Sequence, residues 1–223
     1  MTKSSWMQWL MSGNPTNDAY FLDSCVYINY GTTGNLFHDE SVDFFSKGCL
    51  KHTSTTVLGE IEDFKSFMSR FGRDLNAILA KVTVNRVANN PWIYFQGYNE
   101  NQQPVIEQFL QEMLGRSPLD ISNKYRNFKS IVIDKIDEAL SMTEQPIIQQ
   151  SNDQPFIALI EYINDSGDKQ IIADAALWAA QFRFRRFCTA DNEHIMKHKT
   201  QLELTICKHY KRNCLIFTHL NNA

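Results

Sequence analysis

The chain has 223 residues, 43% of them apolar, 21% charged and 12% aromatic, with only 9 Gly and 6 Pro. That composition excludes a disordered or collagen-like chain, and a core drawn from this length needs no metal or disulfide staple. The net charge of −3 excludes nucleic-acid binding by overall basicity but allows a local basic face.

No apolar run reaches the ~18–20 residues of a membrane span. The five cysteines (Cys25, Cys49, Cys188, Cys207, Cys214) are odd in number and form no CxxC pair. They predict reduced thiols, and with them a cytoplasmic protein that makes no membrane contact. Residues 1–17 read as an N-terminal arm: the apolar stretch from Trp6 to Met11 is too short for a signal h-region, and turn residues follow it.

The body, residues 18–223, reads as a single domain. Apolar residues 19–22 predict a buried strand ending at Asp23, which with Ser24 can cap a helix over 25–30. A helix is predicted over 38–47 and a strand over 50–55. Val57, Ile61, Phe64, Phe67 and Met68 define an amphipathic helix over 57–71, and a further helix over 75–87 is expected beyond Gly72. Residues 89–154 contain four of the six prolines and no evident strand, and read as a helical insertion whose longer helix spans 123–142. Helices over 155–164 and 169–182, a strand over 187–189, helical residues up to 209 and a strand over 214–218 complete the chain. Strands alternating with helices predict an α/β fold with a short parallel sheet.

Four carboxylates fall where open α/β sheets keep their sites: Asp23 and Asp191 at strand ends, Glu60 early in a helix, and Asp174 inside an apolar helix. Asp23 and Asp191 would meet at the carboxyl end of the sheet if their strands are neighbours. Like charges raise one another's pKa, and a divalent cation removes the conflict. Oxygen ligands favour Mg²⁺ or Mn²⁺, which can stabilise charge on a phosphate under in-line attack. Glu60 is preferred to Glu62, which faces away. Asp168 reads as the N-cap of the helix that carries Asp174. His194 and His198 are four residues apart but lack a third ligand.

Phe21-Leu22-Asp23-Ser24, Thr56-Val57-Leu58-Gly59-Glu60-Ile61, Ala173-Asp174-Ala175-Ala176-Leu177-Trp178 and Cys188-Thr189-Ala190-Asp191 together resemble the PIN-domain nucleases. The resemblance covers roughly residues 18–72 and 155–218. It implies a Rossmann-like α/β/α sandwich that cleaves RNA with Mg²⁺ or Mn²⁺. Its acidic quartet maps onto Asp23, Glu60, Asp174 and Asp191, with Ser24 and Thr189 as supporting hydroxyls. The family's Asn two residues after the first acid is Cys25 here.

From residue 181 onward eight Lys/Arg face three acids, and Arg183, Arg185 and Arg186 interleave with phenylalanines, a composition suited to RNA backbone contacts and base stacking. The expected function is a metal-dependent endoribonuclease. The alternatives are a PIN-fold RNA- or protein-binding module without turnover, and a structure-selective DNA nuclease. The insertion would then offer a surface to an antitoxin or assembly factor, and a homodimer is compatible with the same reading.

Overall fold

A computed structural model describes residues 19–99, 102–180, 185–211 and 214–223; the N-terminal arm and Arg183 lie outside them. Four short strands, β1 (Ala19–Leu22), β2 (Leu50–His52), β3 (Arg185–Thr189) and β4 (Leu215–His219), form one parallel sheet in the order β2-β1-β3-β4. The chain therefore leaves β1 in one direction to reach β2 and returns to its other side at β3. In open α/β sheets the crevice at such a reversal, at the carboxyl ends of the strands, is where ligands bind. Leu22 is in register with Cys188, so Asp23 and the residues after Thr189 emerge side by side.

Helices cover both faces of the sheet. On one side, α1 (Ser24–Gly31) and α2 (His38–Ser46) pack through Phe44, 5.1 Å from the Tyr20 ring. On the other, α9 (Ser166–Ala180) packs Trp178 against Phe21 at 5.9 Å. Alternating strand residues bury both faces, and every residue of β1 is buried.

Between β2 and α9 run α3 (Thr55–Leu79), α4 (Val84–Asn89), α5 (Pro91–Tyr94), α6 (Gln103–Glu112), α7 (Pro118–Ser141) and α8 (Gln154–Leu159). The expected break at Gly72 does not occur: α3 runs through it as one helix. The glycine serves packing instead, since a Cβ there would lie 2.4 Å from Cε1 of Tyr125 on α7. Around that contact Phe71 meets Phe95 at 5.2 Å, Tyr125 at 5.1 Å and Phe109 at 6.0 Å, so the helices within 89–154 share the core of α3. The segment after α7 then follows the edge of the sheet, with N–H groups of Glu144 and Ile148 donating to Lys51 and Thr53 carbonyls at 2.7 and 3.0 Å.

The expectation of five reduced thiols is corrected. Cys207, near the end of α10 (Lys199–His209), and Cys214, just before β4, form a disulfide with a Cα–Cα distance of 4.9 Å; Cys25, Cys49 and Cys188 are free. The helix-to-strand reversal brings these two together, a proximity that a spacing of seven residues does not announce.

Candidate metal centre

Asp23 ends β1 and caps α1. Its Oδ1 accepts the Ser24 N–H at 2.7 Å, while its Oδ2 accepts the Thr189 hydroxyl at 2.6 Å and the Cys25 thiol at 3.2 Å. Thr189 Oγ1 in turn accepts the Asp191 N–H at 2.9 Å, so one hydroxyl joins the two strand-end acids. Burial raises the Asp23 carboxyl above its ordinary range and Asp191 adds repulsion, against the lowering effect of these hydrogen bonds. Burial and the Asp23 charge hold the Cys25 thiol protonated, and its sulfur accepts the Ala190 N–H at 3.1 Å. Cys25 thus ties α1 to the turn after β3.

Glu60 reaches the group from the second turn of α3. Its Oε2 accepts the Ser24 hydroxyl at 2.6 Å, and burial pushes its carboxyl up to about 7, with Asp23, Asp165 and Asp63 adding repulsion. The N-terminus of α9 lies against it: a Cβ on Gly167 would come within 2.5 Å of Glu60 Oε1. The residue that caps α9 is Asp165, whose Oδ1 accepts the N–H groups of Gly167 and Asp168 at 2.7 and 3.0 Å. The reading of Asp168 as the cap is therefore corrected. Its carboxyl instead joins the acids, pushed up to about 8 by burial and then by Asp23, Asp165, Asp191 and Glu60.

Asp191 closes the turn after β3. Its Oδ1 accepts the His194 N–H at 2.8 Å, and its Oδ2 lies 3.0 Å from His194 Nδ1. Asp168, Asp191 and His194 each offer one ligand atom, and these three lie within 4.8 Å of one another. Asp23 and Glu60 couple to this trio electrostatically without sharing its common spacing.

Asp174 has a different setting. Fully buried six residues beyond Asp168, it accepts the Ser151 N–H at 2.7 Å and Gln170 Nε2 at 2.9 Å on Oδ1, and the Thr56 hydroxyl at 2.6 Å on Oδ2. It fastens α9 to the first turn of α3 and to the loop before α8. The structure thus brings together Asp23, Glu60, Asp191 and the hydroxyls of Ser24 and Thr189, adds Asp168 and His194, and sets Asp174 in the scaffold. The signal for Asp168 was the doubled acid Asp165-Ser166-Gly167-Asp168 at a helix start. For His194 it was the three-residue spacing from Asp191.

Arg185 and Arg186 open β3, whereas the acids lie beyond its other end, roughly 13 Å away at ~3.3 Å per residue. Arg185 sits over the Trp178 ring at 5.6 Å and Arg186 over the Tyr20 ring at 5.7 Å. An RNA contact of Arg185 and Arg186 would thus lie at the end of β3 away from the acids, and Arg183 lies outside the described residues. Among the described residues, no helix is long and apolar enough to cross a membrane.

Comparison with known proteins gives no match: no family model, no curated protein and no solved structure is similar to this chain.

Proposed function

We propose that the chain is a metal-dependent phosphodiesterase of PIN type acting on RNA, with Asp23, Glu60, Asp168 and Asp191 as its acidic set. The observation that carries this reading is the convergence of acids from β1, α3, α9 and the turn after β3 on the reversal point of the sheet. Five mutually repelling carboxylates, Asp165 included, are costly in one crevice unless cations or protons neutralise them. The donor set fits a hard divalent ion, and glycine at 167 keeps the α9 terminus close against Glu60. Asp168 and Asp191, with a nitrogen of His194, would hold Mg²⁺ or Mn²⁺, while Asp23 and Glu60 complete the negative field. Such an ion supplies Lewis-acid stabilisation of the charge that develops on a phosphodiester under attack by water. Thr189 and Ser24 orient Asp23 and Glu60 by donating to their oxygens, and the half-buried Cys25 bridge links the two strand ends. RNA as substrate rests on the resemblance of the four sequence segments.

The test is cleavage of a mixed single-stranded RNA pool with Mn²⁺, Mg²⁺ or EDTA, beside Asp168→Asn. Metal-dependent cleavage that the variant loses is the expected result; a folded protein inactive under every metal would overturn it. A second reading, a binding module without turnover, is favoured by one observation: Cys25 stands where the resemblance implies Asn, and its thiol donates to Asp23 Oδ2 at 3.2 Å. Retained RNA binding without cleavage would select it.

A further inference from the structure

We infer that His194 is a nitrogen ligand of the ion at this site and biases it toward Mn²⁺ over Mg²⁺. The inference rests on the metal-dependent reading above. It goes beyond the acidic quartet that the resemblance implies, which contains no histidine.

Three observations support it. First, an octahedral ion with bonds of about 2.1 Å sets adjacent ligands about 3 Å apart and opposite ligands about 4.2 Å apart. Asp191 Oδ2 and His194 Nδ1, hydrogen-bonded to each other at 3.0 Å, already stand at the separation of adjacent ligands, and one Asp168 oxygen lies with them inside a common 4.8 Å. Second, the turn from Asp191 is already closed by backbone, since Asp191 Oδ1 takes the His194 N–H. The ring is not needed for that closure, and its side chain remains 54% exposed at the mouth of the acidic crevice. Third, no hydrogen-bond donor faces the Asp168 side chain among the described residues, which leaves its oxygens available to an ion. Mg²⁺ takes oxygen ligands and parts with water reluctantly, whereas an imidazole nitrogen favours first-row transition ions. Replacing one oxygen by nitrogen therefore shifts selectivity within an otherwise carboxylate site.

The experiment loads the full chain with Mn²⁺ alone and records electron spin-echo envelope modulation, alongside calorimetric titration with Mn²⁺ and with Mg²⁺. Expected are ¹⁴N modulation in the parent protein and its loss in His194→Gln. The variant should bind Mn²⁺ about tenfold more weakly and Mg²⁺ within about twofold of the parent, with unchanged melting temperature. Mn²⁺ bound without ¹⁴N modulation, or equal losses for both ions, would overturn the role of His194 while leaving the acidic site standing. Absence of Mn²⁺ binding in the parent would overturn the metal-dependent reading itself, and this inference with it.

Discussion

Asp174 provides the sharpest separation between scaffold and chemistry. Replacing it with Asn keeps an oxygen for Ser151 N–H and Gln170 Nε2, and gives an amide that can donate to Thr56 Oγ1, whose hydroxyl then turns to accept. All three links survive in neutral form. Exchanging charge-assisted bonds for neutral ones costs about 1–2 kcal/mol after relief of the buried charge is counted. Asp174→Ala instead leaves the buried Ser151 N–H without an acceptor and opens a cavity, for a cost of about 4 kcal/mol. A chain of this size loses about 2–4 °C of melting temperature per kcal/mol, so the expected drops are about 5 °C for Asn and about 12 °C for Ala. Thermal melts measure these, and RNA cleavage is then assayed well below both transitions. Asp174→Asn should retain cleavage and Mn²⁺ affinity within about twofold, while Asp168→Asn loses both. A folded Asp174→Asn protein without cleavage and without Mn²⁺ affinity would refute the assignment of Asp174 to the scaffold.

The metal-free protein should lose stability between about pH 6.5 and 8. Carboxyls raised to about 7 (Glu60) and about 8 (Asp168) keep protons that the unfolded chain has already released, so each unit of pH in that window favours unfolding. His52, lowered to about 4 by burial and Arg185, acts oppositely, but its effect is complete near pH 6.5. After allowance for solvent screening the expected loss is about 1 kcal/mol, smaller in Asp168→Asn; melts in EDTA showing rising stability across this window would contradict it. Reducing the Cys207–Cys214 link should lower the melting temperature by about 5–10 °C, the chain-entropy value for so short a loop. Five free thiols in the unreduced protein by labelling mass spectrometry would dispose of that link. Gly72→Ala should destabilise by about 1–2 kcal/mol despite alanine's better helix propensity, because the Tyr125 ring is pinned by its hydroxyl on the Met68 carbonyl. A higher melting temperature in that variant would show that the ring has room to move.

Local elements were legible wherever short-range chemistry decides them. The apolar run at 19–22 and the Asp23 cap specify β1 and α1 almost alone, and the polar–apolar spacing of 57–71 specifies most of α3. What failed was local reasoning applied to contacts made at a distance. Gly72 looks like a helix breaker until Tyr125, more than fifty residues away, is seen to occupy the space of its missing side chain. The helices of 89–154 interrupt the strand pattern as an insertion, and no local pattern announces that their aromatic residues share the core of α3. The sheet order was not legible either, since strands of three to five residues carry too little pattern to specify neighbours. That order is what makes Asp23 and Asp191 adjacent.

The two acids of α9 show why a motif can identify a site's element and still miss its atom. Asp168 and Asp174 are six residues apart, which on a helix means about 9 Å along the axis and about 120° around it. Only one of them can face the crevice at the strand ends. The alanine-rich surroundings of Asp174 resemble a catalytic setting in sequence, but small residues are also what allow a helix to press closely against α3 and the sheet. Under that pressure a carboxylate must be fully paired, and Thr56, Ser151 and Gln170 supply the pairing. Asp168, in the first turn, faces other acids instead of donors, and its carboxyl is the one left in need of a counter-charge. Scaffold carboxylates are satisfied by the protein. Asp168, at the sheet's reversal point, has no such donor among the described residues, and under the proposed function that is where a cation would bind.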